Sequence, residues 1–148
     1  INNNMRGRSY GAEAAATWQA LPQWRLQATG SHMRLNLTPR KDSRDTLSEY
    51  DEDLSSQNLL TLRSLYSITP TLECDVSLYF ADAIQRLNNP SHTDLTVRLG
   101  WKPFKHLMLE GIGYNLIDNK YKGFRDERYN RGLNEVYRMF YGRITVEF

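Results

Sequence analysis

Nine charged side chains recur at positions that alternating strands would turn to one side: Arg63, then Glu73 and Asp75, then Asp94, Arg98 and Lys102, then Glu110, then Arg143 and Glu147. Both signs occur on successive segments, so ion pairs between neighbouring strands are within reach. Such a face is either a wall against which another polar surface docks or a solvated lining, and the sequence leaves both open. Chemistry of other kinds has little to stand on. His32, His92 and His106 lie far apart with no Cys, His or carboxylate at ligand spacing, so no metal is expected. There is no nucleophile-elbow motif, no phosphate loop and no His-Glu-x-x-His. The Ser91-His92 pair reads as a loop before a strand, and no catalytic site and no cofactor are expected. Cys74 is the single cysteine; it can form no internal disulfide and reads as a small buried hydrophobe.

Composition sets outer bounds. The 148 residues are 40% hydrophobic and 24% charged, as in an ordinary soluble domain, and the net charge of +2 comes from scattered Lys and Arg, which gives no footprint for nucleic acid. No run approaches the ~20 apolar residues of a transmembrane helix. A transmembrane strand needs only alternate apolar residues, so a mean hydropathy of −0.64 is compatible with a membrane barrel. The start, Ile-Asn-Asn-Asn-Met-Arg-Gly-Arg, has neither the charged opening nor the apolar stretch of a signal peptide, and the expectation is a piece of a longer chain.

The elements that must position these charges follow a period of two. Tyr10, Ala12, Ala14, Ala16 and Trp18 form one apolar face, and after Leu21-Pro22-Gln23 a second runs through Trp24, Leu26, Ala28 and Gly30. Leu60, Leu62, Ser64, Tyr66 and Ile68 make a third, and Thr69-Pro70-Thr71 leads to a fourth through Leu72, Cys74, Val76, Leu78 and Phe80. Thr93, Leu95, Val97, Leu99 and Trp101 make a fifth. Pro103-Phe104-Lys105 is expected to turn the chain into a sixth near 106–115, and Phe140, Gly142, Ile144, Val146 and Phe148 line the seventh. Connections after strands one, three and five are short; those after two, four and six are long, including Thr38 to Ser55 and Asp118 to Glu135. An up-and-down sheet would gather all short turns at one rim and all long loops at the other, as an outer-membrane barrel does. Trp18, Trp24, Tyr66 and Trp101 lie beside the short turns, where amphipathic rings suit a membrane–water interface; the plainer alternative is that they are core aromatics of a soluble β-domain. The long loops hold Asp42, Asp45, Glu49, Asp51, Glu52 and Asp53 in one, and Lys120, Lys122, Arg125, Arg128 and Arg131 in the other. Solvated loop charge is the plainer reading than a cation or anion site, because no metal-loop template is matched.

Gly111-Ile112-Gly113-Tyr114-Asn115-Leu116-Ile117-Asp118-Asn119-Lys120-Tyr121 resembles the "xNLxDxxY" segment of TonB-dependent outer-membrane receptors. Tyr141 to Phe148 resembles their closing strand, and Tyr10-Gly11-Ala12-Glu13 with Trp24-Arg25-Leu26 resembles their strand openings. The resemblance implies an all-β antiparallel meander of about seven strands, residues 1–148 being the C-terminal part of a receptor barrel of the bacterial outer membrane whose plug is absent. Such receptors close about 22 strands around an N-terminal plug that TonB grips, so the piece would supply roughly the last third. The implied partners are outer-membrane lipid, the remaining barrel strands and plug, TonB through that plug, and the barrel-assembly machinery, for which Phe148 is the implied signal. Arg63, Glu73, Asp75, Arg98, Lys102, Glu110 and Arg143 would then face the lumen and plug. The implied function is energised uptake of a scarce nutrient, siderophore-iron or cobalamin in type, and not catalysis. A passive porin-like channel and a soluble β-sandwich or lipocalin-like module are the alternatives.

Overall fold

A computed structural model describes residues 5–41, 43, 52, 54–87, 89–118, 120–122 and 135–148. They form β1 (Met5–Leu21), β2 (Trp24–Pro39), β3 (Asn58–Thr69), β4 (Leu72–Ala81), β5 (His92–Phe104), β6 (Leu107–Tyr114), β7 (Lys120–Lys122), β8 (Glu135–Tyr137) and β9 (Met139–Val146), with one 3-10 turn at Gln85–Leu87. Seven strands build one antiparallel sheet in the order β1-β2-β3-β4-β5-β6-β9, and β7 pairs with β8 in a small separate ribbon. The meander expected from the period-two segments is therefore present. β1 and β9 are its two open edges among the described residues.

Register decides which side chains share a face. Leu26 pairs with Ser64, Ser64 with Val76, Val76 with Val97, Val97 with Gly113 and Gly113 with Phe140, so every apolar set read from the sequence falls on one continuous side. The charged set falls on the other. No second layer covers the apolar side among the described residues. Trp18, Leu99, Trp101, Phe140 and Ile144 are half or more exposed, and among the described residues only Ala81, Leu87 and Ile112 are buried hydrophobics. Each large apolar side chain left in water forgoes about 1.5–3 kcal/mol of burial, so an aqueous single-layer sheet of this kind has no core to hold it together.

All three short turns contain two residues, Pro22-Gln23, Pro70-Thr71 and Lys105-His106. The incoming strand of each carries one residue more than its partner just before the turn: the register slips between Gln19 and Leu21, between Ser67 and Thr69, and between Trp101 and Phe104. The third slip corrects the expected turn at Pro103-Phe104-Lys105. Pro103 lies inside β5, in the bulge, where a residue without an N–H leaves no ladder bond unmade. Three further corrections concern extent. β1 begins at Met5 rather than Tyr10, β2 continues through Thr38 and Pro39, which were expected in a loop, and β9 stops at Val146, leaving Phe148 beyond it and fully exposed.

Candidate functional site

The charges on the polar side converge on Arg98, and the convergence depends on strand register. Asp75 lies directly across from Arg98 on one neighbour, while Glu73 and Glu110 flank Gly100, two residues farther along β5. Gly100 makes room for the guanidinium to lie back over its own strand: a Cβ there would come within 2.9 Å of Arg98 Nη2 and 3.2 Å of Met108 Cε. From that position Arg98 Nε donates to Glu110 Oε1 at 2.6 Å, Nη1 to Asp75 Oδ2 at 2.7 Å, and both terminal nitrogens to Glu73 Oε2 at 3.2 Å. Arg143, opposite Glu110 on β9, donates from Nε to the other Glu110 oxygen. The Glu110 side chain is 1% exposed, so two guanidiniums share a carboxylate withdrawn from solvent. Four strands, β4, β5, β6 and β9, are tied side to side by this cluster of three carboxylates and two guanidiniums. Planar guanidinium forks suit such multiple pairing, which a lysine could not reproduce.

Of the seven charges expected to work together, the structure joins five. Arg63 sits opposite Gln27 and Ser77, and Lys102 sits in the β5 bulge, and neither makes an ion pair among the described residues. Beside the cluster, toward the short turns, Gln19, Gln23, Arg25, Ser67, Glu73 and Asp75 line an open groove of about 370 Å³. The four rim aromatics lie as expected on the apolar side. Trp18 and Trp101 are exposed, while Trp24 donates its indole N–H to Ser64 Oγ at 2.9 Å and meets the Tyr66 ring edge-on at 6.1 Å. No three of His, Cys, Asp and Glu come together as a metal site among the described residues.

A second cluster, at the long-loop rim, was not anticipated from residue types. Asn115 ends β6 in the left-handed region (φ 52°) and is wholly buried. Its N–H reaches Asp94 Oδ1 at 3.3 Å, its Nδ2 donates to the Val136 carbonyl at 3.2 Å, and Arg138 donates to the carbonyls of Asn115 and Leu116. Asparagine tolerates this backbone and supplies side-chain bonds as well, so it can stop a strand and fasten the next segment. Tyr121 of β7 lays its ring parallel to that of His92 at 4.4 Å, and the Tyr79 ring lies tilted against the same imidazole at 5.9 Å. Burial raises the Tyr121 phenol, and Glu135, bonded to Lys120 Nζ at 2.7 Å and to the Tyr137 hydroxyl at 2.5 Å, raises both of those groups. Asn115, Leu116 and Tyr121 all belong to the segment whose pattern resembles receptors, which was the available signal. Of the loop charges, Asp42, Asp45, Glu49, Asp51 and Asp53, and Arg125 through Arg131, lie outside the described residues, as does the side chain of Lys122.

Two solved structures share this fold. One is the structure of the FpvAI–pyocin S2 complex, with a TM-score of 0.71 and 12% identity over 95% of this chain and 19% of the other. The second is the crystal structure of the siderophore receptor PiuA from Acinetobacter baumannii, with a TM-score of 0.67 and 17% identity over 93% of this chain and 21% of that one. The chain spans about a fifth of the length of the structures it matches. No family model and no curated protein matches the sequence.

Proposed function

We propose that the chain is the C-terminal portion of a TonB-dependent outer-membrane receptor barrel that imports a scarce nutrient, siderophore-bound iron in the first instance and cobalamin in the second. The observation that carries this reading is the two-sided sheet: seven strands present one uncovered apolar face and one face with an ion cluster, with every two-residue turn at the same rim. In a barrel the apolar face meets lipid and the Arg98 face meets the lumen. The fold shared with a siderophore receptor supports the choice among barrels. The Arg98 cluster and the adjoining groove offer a plug fixed charges and a recess, and the aromatics Trp18, Trp24, Tyr66 and Trp101 sit at the periplasmic interface. Phe148 is the residue we assign to recognition by the assembly machinery, and its exposure beyond β9 is compatible with that role.

The test uses the full-length protein in its own host. The tagged protein is expected in the outer-membrane fraction with heat-modifiable mobility, and its deletion is expected to slow growth on chelated iron, a defect reproduced by loss of TonB. Growth dependence on cobalamin instead of iron would reassign the substrate. Uptake indifferent to TonB would replace the receptor reading with a passive channel, and recovery of the protein without membranes would overturn the barrel itself.

A further inference from the structure

β1 and β2 outrun the rest of the sheet. β3 begins at Asn58 opposite His32 and the Met33 N–H still reaches the Gln57 carbonyl, but from Arg34 to Pro39 the second strand has only β1 as its ladder partner among the described residues, and Met5–Tyr10 and Met33–Pro39 stand out as a two-stranded ribbon at the long-loop end. Gly11 lies where the ribbon leaves the sheet. A Cβ there would collide with the His32 carbonyl oxygen at 2.3 Å, so only glycine lets the two backbones approach this closely.

Alternation continues through this point without a register slip, but the chemistry of the faces reverses. The side that carries Ala12, Ala14, Ala16 and Trp18 lower down now carries Arg6, Arg8, Tyr10 and Arg34, with Arg8 across from Asn36 and Tyr10 across from Arg34. The opposite side, polar lower down, carries Met5, Met33, Leu35 and Leu37 and no charge. All three arginines are exposed, and none has an ion-pair partner among the described residues. Glu52, the one described carboxylate bonded to the ribbon, accepts the Leu37 backbone N–H.

Height locates the reversal. At about 3.4 Å per residue and a barrel tilt of about 40°, Arg8 stands roughly 26 Å and Arg6 roughly 31 Å above the Trp18 ring, against an apolar band of about 25 Å. Arg34, level with Tyr10, reaches the same zone with its long side chain. Three guanidiniums on the lipid-facing side, at the level where acyl chains give way to headgroups, and within roughly 7–14 Å of one another, match clustered phosphates. We infer that Arg6, Arg8 and Arg34 form a binding site for the phosphorylated headgroup of an outer-leaflet glycolipid. This rests on the barrel reading, which fixes that side as outward.

The experiment uses full-length protein purified from outer membranes in zwitterionic detergent. Bisphosphorylated lipid A is titrated against it, with phosphatidylcholine as neutral lipid and inorganic phosphate as competitor. R6A/R8A/R34A is expected to bind lipid A roughly a hundredfold more weakly, since each basic residue at an anionic surface contributes about one factor of several. R34E alone should weaken it clearly while disturbing the ribbon least, and R63A, a charge removed from the other face where it has no ion-pair partner among the described residues, should bind as wild type does. Unchanged affinity in both ribbon variants, equal binding of phosphatidylcholine, or full competition by millimolar phosphate would each overturn the site. Heat-modifiable mobility of the wild type separates this from failure of the barrel reading, which would appear as loss of that mobility before any lipid is added.

Discussion

On the polar face each charged group of the central cluster finds its partner one strand away, whereas on the apolar face most large side chains lie open, with no second layer over them among the described residues. One face is complete within the sheet and the other is completed only by its surroundings. The difference teaches where the fold's stability has to come from. Hydrogen bonds along the ladders and the Arg98 cluster order the strands relative to one another, but the apolar burial that normally drives folding has to be supplied from outside the sheet, which on the proposed barrel reading means lipid.

The sharpest break of this contrast is a charge on the apolar face. Val97, level with Val76, lies near the middle of the uncovered side. Val97→Arg is expected to destabilise the protein by about 3 kcal/mol in lipid, read as a lowered midpoint of urea unfolding in vesicles. A near-neutral effect would mean that water, not lipid, meets this face. Arg98→Ala should cost less, about 2 kcal/mol, because it leaves three carboxylates clustered on neighbouring strands with Arg143 as the one remaining cation of the group. Loss of heat-stable mobility at a lower temperature is the readout, and an unchanged profile would demote the cluster to solvated charge. The smallest effect is expected from Arg63→Ala, which removes a charge on the same face that has no ion-pair partner among the described residues, and should leave stability within roughly 0.5 kcal/mol in the same assay. If Arg63→Ala matched Arg98→Ala, the ion cluster would not be what distinguishes the two positions.

How much of this was legible in the residues depends on which physical signal each element carries. The seven strands and their two faces follow from alternation alone, because successive side chains point to opposite sides and the apolar and charged residues are kept apart at every second position. The same logic explains where reading stopped short. β1 reads as starting at Tyr10 because above it the contrast inverts through Arg6, Gly7, Arg8 and Ser9, and an alternation judged by its apolar side disappears. Pro103 looked like a turn residue, and only the one-residue slip in pairing with β6 makes it admissible within a strand. Five of the seven candidate lumen charges meet, but that Arg98 rather than Lys102 is the hub depends on register and on the space above Gly100, neither of which composition encodes. The Asn115 fastening escaped for another reason: its effect comes from a buried backbone conformation and bonds to distant segments, so the amide carries no local periodic signature.

The order of strands in the sheet bears on how the molecule comes into being. Every ladder in the large sheet joins strands that follow one another in the chain, the sole interruption being the small β7–β8 ribbon between β6 and β9. Each strand therefore meets its partner after a short search, and loop closure costs little at each step. Growth can proceed hairpin by hairpin with a single advancing edge. At no stage need two distant strands find each other until the final seam, so the slow event in making such a wall is closure rather than extension.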